Sequence, residues 1–182
     1  MAILDDAALL AVGVYIDLNP VAAKLADVPE TSKHTSVKQR VDHIKAEGRT
    51  AQLEAAKNGS VAGSLAASGL EDGIWLCPIE NRRWFGSSRE GMFEGLSIGS
   101  YLLLVDYTGR LFREGKARIS AELAGILDRI GSSAESWQHR MERLTNGRWF
   151  GRFFAVSGHR LREMATLFSV RRVVNLAGCV AP

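Results

Sequence analysis

Two polar side chains near the start of the chain have a spacing that suits chemistry as well as packing. Tyr15 and Asn19 are four residues apart, so on a helix they project from the same face. A phenol beside an amide oxygen would combine a nucleophile with a neutral ligand for a hard metal ion. A structural explanation stays open, in which the tyrosine is a packed amphipathic side chain and Asn19 is a helix stop before Pro20.

The helix that carries these side chains is predicted from capping residues and periodicity. Asp5 and Asp6 precede a run of apolar residues with helical spacing, and Pro20 follows that run. This pattern predicts a helix that starts near residue 5 and is stopped by Pro20. Tyr15 and Asn19 then lie in its last turns.

Four segments resemble one known protein family and follow one another in the same order as in that family. They are Tyr15–Ala23, His34–Arg40, Tyr101–Arg110 and Lys116–Ile119. Together they resemble the REP-associated tyrosine transposases, which belong to the HUH superfamily of single-strand transposases. The resemblance spans most of the chain and is weakest over residues 58–95.

The resemblance implies specific roles for residues. In that family a tyrosine attacks a DNA phosphate and forms a 5′-phosphotyrosine link. Two histidines of a His-hydrophobe-His motif, and a polar residue one turn after the tyrosine, hold a divalent metal such as Mg²⁺ or Mn²⁺. The resemblance therefore makes Tyr15 the nucleophile and Asn19 a metal ligand. This chain has four histidines, which are His34, His43, His139 and His159. No two of them have the one-residue separation of that motif.

The missing histidine pair bears on the expected activity. A tyrosine phenol is protonated at neutral pH and needs a metal or a base to become a useful nucleophile. One amide oxygen cannot hold a hard cation by itself. We therefore expect the chain to be the C-terminal portion of a transposase, from a truncated or split reading frame. Alone, it is expected to bind no metal and to cut no DNA. Two alternatives stay open: a helical interaction or oligomerisation module, and an enzyme completed by a second chain that supplies the histidines.

Composition limits the classes of protein to which this chain can belong. The chain has 182 residues, of which 46% are hydrophobic and 24% are charged, and this balance indicates a globular protein rather than a disordered tail. Cys77 and Cys179 form neither a metal-binding pattern nor a disulfide framework. No apolar run approaches the ~18 residues of a membrane span, and the N-terminus lacks the basic region of a secretory signal. These features predict a cytoplasmic protein.

The net charge of +3 is unevenly distributed. Residues 31–60 carry six basic and three acidic residues, and residues 110–182 carry thirteen basic and six acidic residues. Basic segments of this kind are candidates for contact with DNA, here single-stranded or hairpin DNA. A solvated helix face is the other explanation for the first of them, and homo-oligomerisation stays open. The residues predicted to contact DNA are Lys38, Arg40, Lys45, Arg148, Arg152 and Arg160.

The predicted fold class is mainly α, in four parts. Residues 1–30 hold the tyrosine helix, and residues 31–57 hold a basic amphipathic helix that runs from about 36 to 57. Residues 58–95 are a linker, glycine-rich over 58–73, followed by an irregular anchor. Residues 96–182 form a helical extension.

Four short helices are predicted in this extension, which would form a compact bundle. Ser97 and Ser120 have the position of N-caps, and Gly109 and Gly131 are placed to end the same two helices. A capping box that begins at Ser132 starts a third helix. A fourth is predicted over about 158–170. In the motif Asp106–Arg110 we favour a structural ion pair over catalysis.

Overall fold

The computed structural model describes residues 2–57, 69–81, 90–114, 120–146, 153–155, 157 and 174–175. Over these residues the fold is mainly α-helical, as predicted. The α-helices are α1 (Asp6–Ala22), α2 (Ser36–Ala46), α3 (Thr50–Lys57), α4 (Ile98–Glu114), α5 (Ala121–Arg129) and α6 (Ala134–Asn146), with a 3₁₀ helix at Pro29–Thr31. None of the described helices combines the length and the apolar character that crossing a membrane requires.

A small parallel sheet joins the start of the chain to its C-terminal part. Its strands are β1 (Ala2–Ile3), β2 (Phe153–Ala155) and β3 (Val174–Asn175), and β2 lies in the middle. These strands were not predicted from the sequence, because two or three residues are too few to show a strand period. The helix predicted over 158–170 and residues 58–68 of the predicted linker lie outside the described residues.

The predicted starts of α1, α4 and α5 are confirmed by their capping hydrogen bonds, whereas α6 is capped by Ser133 rather than by the predicted Ser132, since Ser133 Oγ accepts a hydrogen bond from the Ser136 N–H at 3.1 Å. Asp5 Oδ1 accepts a hydrogen bond from the Ala8 N–H at 2.8 Å. Ser97 Oγ accepts one from the Ser100 N–H at 3.2 Å, and Ser120 Oγ caps α5 in the same way. Each side chain satisfies one of the N–H groups that the first turn of a helix leaves without a partner.

Two predicted helix ends are wrong, and one predicted helix is divided in two. Pro20 lies inside α1, which continues to Ala22, because a proline in the last turn costs the helix only one hydrogen bond. Gly109 lies inside α4, where a Cβ would be 3.1 Å from Leu18 Cδ2, so this glycine allows α1 and α4 to pack closely. The single helix expected over 36–57 is two helices, since Gly48 turns the chain with a φ of +68°.

The core is built around α1 and α4. Helix α1 packs against α4 and α6, and α3 packs against α4. The Trp137 indole of α6 is fully buried, and its Nε1–H donates to Thr108 Oγ1 at 3.0 Å. The predicted exposed ion pair of Asp106 with Arg110 is present. The motif around residue 106 therefore has structural roles, as expected.

Part of the predicted linker belongs to the core. Leu70 and Glu71 are buried, although glycine-rich composition had assigned residues 58–73 to a flexible segment. The next residues have no regular structure, as predicted, and anchor the segment through buried Ile74 and Ile79. The glycine pattern marks turns here, at Gly69 and Gly73, rather than flexibility.

The contact of α3 with α4 gives a stability prediction. A Cβ on Gly99 would lie 2.6 Å from the Ala56 carbonyl carbon, whereas a Cβ on Gly125 of α5 would meet nothing closer than 3.8 Å. We expect Gly99→Ala to lower the free energy of unfolding by about 1–3 kcal/mol. Gly125→Ala should raise it by up to about 1 kcal/mol, because alanine is the better helix former. Urea unfolding of both variants measures this, and equal effects of the two would contradict it.

Candidate functional site

Tyr15 and Asn19 line one open cleft, as their helical spacing predicted. The cleft has a volume of about 970 Å³, and we call it the Tyr15 cleft. Tyr15 is half-buried and packs against the core, and Asn19 is exposed. The other lining residues come from the end of α1, the turn after it, α4 and α6; they are Leu18, Val21, Ala22, Ala23, Lys24, Ala26, Asp27, Gly109, Phe112, Arg113 and Thr145.

The lining of the Tyr15 cleft divides into an apolar wall and a charged edge. Small apolar residues of α1 and the Phe112 ring form the wall, and 36% of the Phe112 surface is exposed. Lys24 and Arg113 are exposed lining residues and contribute two cations, against the single carboxylate of exposed Asp27; these three residues are what we call the charged edge. The side chains that line the cleft therefore carry a net positive charge.

Lys24 has a backbone conformation that lysine rarely adopts. Its φ is +57°, in the left-handed region where glycine or asparagine usually ends a helix. The Lys24 N–H donates to the Val21 carbonyl at 3.0 Å, and the Leu25 N–H donates to the Pro20 carbonyl at 2.8 Å. These bonds close α1 and satisfy its last carbonyl groups.

A buried carboxylate lies on the same helix, between Tyr15 and Asn19. Asp17 is 2% exposed, and its two oxygens accept hydrogen bonds from the Ser36 N–H at 2.9 Å and the Ser36 hydroxyl at 2.7 Å. The Val37 N–H at 3.3 Å and the Tyr101 hydroxyl at 2.7 Å also donate to this carboxylate. Asp17 therefore binds the start of α2 and the side of α4, and we call these contacts the Asp17 network.

The groups around Asp17 favour the hydrogen bonds that its carboxylate accepts. Burial, and next the Asp17 charge, raise the pKa of the Tyr101 hydroxyl well above its ordinary value, so this hydroxyl remains a proton donor. The N-terminus of α2 also carries a partial positive charge that favours a carboxylate there. This role of Asp17 was not predicted from the sequence, although Asp17 follows Val14 by three residues and so faces the core with it.

Arg40 has a structural position rather than the exposed one expected of a DNA contact. Its side chain is buried and forms an ion pair with Glu71, and its Nη2 donates to the Cys77 carbonyl at 2.7 Å. Glu71 Oε2 also accepts a hydrogen bond from the Ile79 N–H at 2.9 Å. This guanidinium therefore fixes the segment 69–81 against α2, and Arg40 is left out of the surface that could bind DNA.

The other residues predicted to contact DNA have different positions. Lys38 of α2 is paired with Asp42 at its surface, and Lys45 is exposed. Neither residue lines the Tyr15 cleft. Arg148, Arg152 and Arg160 lie outside the described residues.

The cleft residues do not fit the divalent metal that the resemblance implies. Asn19 offers one neutral oxygen, and none of the three histidines in the described part of the chain lines the cleft. His43 Nε2 is instead 2.9 Å from the Asp72 carbonyl, and His34 and His139 are exposed. Within the described ranges, no group of three or more His, Cys, Asp or Glu side chains is placed to hold a metal ion. This donor set supports no metal-dependent step.

Comparison with protein-family models, curated proteins and solved structures gives no match for this chain. The features that bear on function are therefore the Tyr15 cleft, the Asp17 network and the resemblance of the sequence motifs.

Proposed function

We propose that the chain is a DNA-binding portion of a protein related to the REP-associated tyrosine transposases. It binds single-stranded DNA at the Tyr15 cleft and does not cut DNA on its own. The observation that carries this proposal is the Asp17 network. Its hydrogen bonds join, at one buried point, three of the four segments that resemble the family.

The joined segments make up one structural unit. Asp17 belongs to Tyr15–Ala23, Ser36 belongs to His34–Arg40, and Tyr101 begins the third segment. Hydrogen bonds to a buried charged group are short and strong and fix the orientation of the groups that make them. This supports the proposal because the motif residues hold the tyrosine helix in place, with Tyr15 and Asn19 at the cleft.

The chemistry proposed for the cleft is binding. An aromatic phenol and an exposed ring offer faces on which an unpaired base can stack, and the edge cations attract phosphates. A phosphotyrosine step would also need the phenol to lose its proton to a base or to be activated by a metal. The cleft residues supply neither an imidazole nor a metal-binding set, so strand cleavage is not part of the proposed activity of the chain alone.

A gel-shift titration of the full chain tests this function. The probes are a labelled single-stranded DNA hairpin and a duplex of the same composition, at salt concentrations from about 50 to 200 mM. We expect the hairpin to be retarded more strongly than the duplex, with a log affinity that falls linearly with log salt. On denaturing gels with Mg²⁺ or Mn²⁺ we expect no covalent adduct.

Two results would contradict the proposal in different ways. Absence of any retardation at the lowest salt concentration would exclude DNA binding. A metal-dependent adduct that disappears in Tyr15→Phe would instead show that the chain cuts DNA, and the binding-only description would be wrong.

A second candidate function has one observation in its favour. Ile16, Leu25 and Val28 are large apolar side chains that are exposed along α1 and the turn after it. Large apolar side chains that are exposed suit contact with another protein or a second copy of the chain. A chain that self-associates in light scattering but does not retard the hairpin would favour this interaction module over the DNA-binding function.

A further inference from the structure

We propose that the Tyr15 cleft holds one unpaired nucleotide of a single DNA strand. Phe112 stacks on the base, and Lys24 and Arg113 contact phosphates of the strand. This inference rests on the proposed function, since it names the ligand that the same cleft would take. Neither Lys24 nor Arg113 nor Phe112 was predicted from the sequence as a binding residue.

The cleft is large enough for a nucleotide, and its wall suits a nucleobase. A volume of about 970 Å³ lies in the range of pockets that take small organic ligands. The ring of Phe112 is 36% exposed, and it lines the cavity together with Leu18 and Val21 of α1. Stacking on an aromatic ring accepts any base, because every base has a π-face. Binding at this wall is therefore expected to be independent of sequence.

The charged edge sets where the phosphates lie. Arg113 belongs to the last turn of α4, and Lys24 follows the C-terminus of α1. Helix C-termini carry partial negative charge, so phosphates are disfavoured close to the backbone there. The charged groups of Lys24 and Arg113 are carried on long side chains, so in the proposed complex they contact phosphates away from the helix backbone. Two such contacts to a single strand predict a salt slope of about −1.4.

The backbone of Lys24 supplies an independent argument. A residue with a side chain is strained at a φ of +57°, and glycine or asparagine would fill this helix-ending position at lower cost. Strained residues cluster at functional sites, where the side chain is needed despite the cost. At the edge of this cleft, the property that lysine adds is a mobile positive charge.

The first test compares two lysine variants of the full chain. Lys24→Asn keeps a residue that tolerates the left-handed conformation and removes the charge, and Lys33→Asn removes a charge from an exposed turn outside the cleft. The probe is a fluorescein-labelled single-stranded oligonucleotide of twelve thymidines, followed by anisotropy. We expect Lys24→Asn to bind about threefold to tenfold more weakly, with a salt slope smaller by about 0.7. Lys33→Asn should bind like the unaltered chain.

Thermal unfolding of the same variants separates binding from folding. Because asparagine relieves the strain, Lys24→Asn should have a Tm equal to that of the unaltered chain or up to about 4 °C higher. A lower Tm would contradict the claim that the lysine is kept there for its charge. Weaker binding by a chain that is at least as stable cannot be attributed to misfolding.

The second test concerns the base. Phe112→Leu keeps an apolar side chain but removes the stacking face, and we expect about fivefold weaker binding of the thymidine oligonucleotide. An abasic strand of the same length should bind the unaltered chain and Phe112→Leu with equal affinity. That affinity should be weaker than the affinity of the unaltered chain for the thymidine oligonucleotide. If the unaltered chain, Lys24→Asn and Phe112→Leu all bind the oligonucleotide with equal affinity, the proposed nucleotide site is wrong and the DNA-binding function stands. If the unaltered chain does not bind, both proposals are overturned.

Discussion

Asp17→Ala is expected to lower the free energy of unfolding by about 3 kcal/mol or more. The substitution leaves two backbone N–H groups and the Tyr101 hydroxyl without their acceptor in the interior, and each such group costs about 1–3 kcal/mol. It also removes the carboxylate that favours the N-terminus of α2. Urea unfolding at pH 7 measures the effect.

Two matched variants give the scale of this effect. Tyr101→Phe removes one of the hydrogen bonds to Asp17 and should cost about 1–2 kcal/mol. Asp106→Asn removes a carboxylate from an exposed ion pair and should change stability by less than about 1 kcal/mol. If Asp17→Ala costs no more than Asp106→Asn, the Asp17 network does not hold the three motif segments together.

Arg40→Met is expected to cost about 3–5 kcal/mol at pH 7, because it leaves the Glu71 carboxylate buried without its counter-ion. Burial raises the pKa of the Glu71 carboxyl above its ordinary value of 4.5, and the Arg40 charge opposes that rise. Without Arg40 the pKa of Glu71 should rise further. Methionine has nearly the length of the arginine stem and limits any cavity.

The pH dependence of this variant follows from the direction of the Glu71 shift. A carboxyl with a raised pKa in the folded state binds its proton more tightly when folded, so stability is present at low pH and is lost as the pH rises above 4.5 toward the folded value. The deficit of Arg40→Met should therefore grow between pH 4.5 and neutral pH. Urea unfolding at several pH values tests this.

The double variant is the control for the ion pair. Arg40→Met with Glu71→Gln lacks both charges, retains an acceptor for the Ile79 N–H, and should recover most of the lost stability. Its stability should also lack the pH dependence of the single variant. A double variant that is as unstable as Arg40→Met at neutral pH would show that lost packing, not the unpaired charge, causes the effect.

Local signals in the sequence predicted the helical fold well, and tertiary contacts explain where they failed. Asp5, Ser97 and Ser120 were assigned as helix starts because a cap depends only on the residues next to it. Pro20 and Gly109 were assigned as helix ends, but packing of α1 on α4 carries both helices past them. The helix-breaking tendency of a single residue contributes less free energy than the burial of a helix face.

Two of the buried charged residues, Arg40 and Asp17, have a signal in the sequence. Arg40 follows Val37 by three residues and precedes Ile44 by four, which is the spacing of one helix face. Asp17 has the same relation to Val14. A charged residue inside an apolar stripe indicates a partner elsewhere in the chain, but the partners Glu71 and Tyr101 follow only from the tertiary structure.

The candidate site was predicted in part. The pairing of Tyr15 with Asn19 depends on helical spacing, and the structure brings both to one cleft. Phe112 and Arg113 are distant from Tyr15 in sequence, and no local pattern connects them to it. Lys24 had a local signal, since a helix-ending position usually takes glycine or asparagine, but its left-handed conformation depends on where α1 actually ends.

The most direct measurement is photocrosslinking of a single-stranded DNA hairpin that carries 4-thiothymidine in its unpaired bases. The adducts on the full chain are mapped by mass spectrometry. We predict crosslinks to peptides that contain Tyr15 or Phe112, lost when an excess of unlabelled thymidine oligonucleotide is added. Crosslinks confined to peptides that do not line the Tyr15 cleft, or no crosslinks at all, would contradict the proposal that this cleft binds single-stranded DNA.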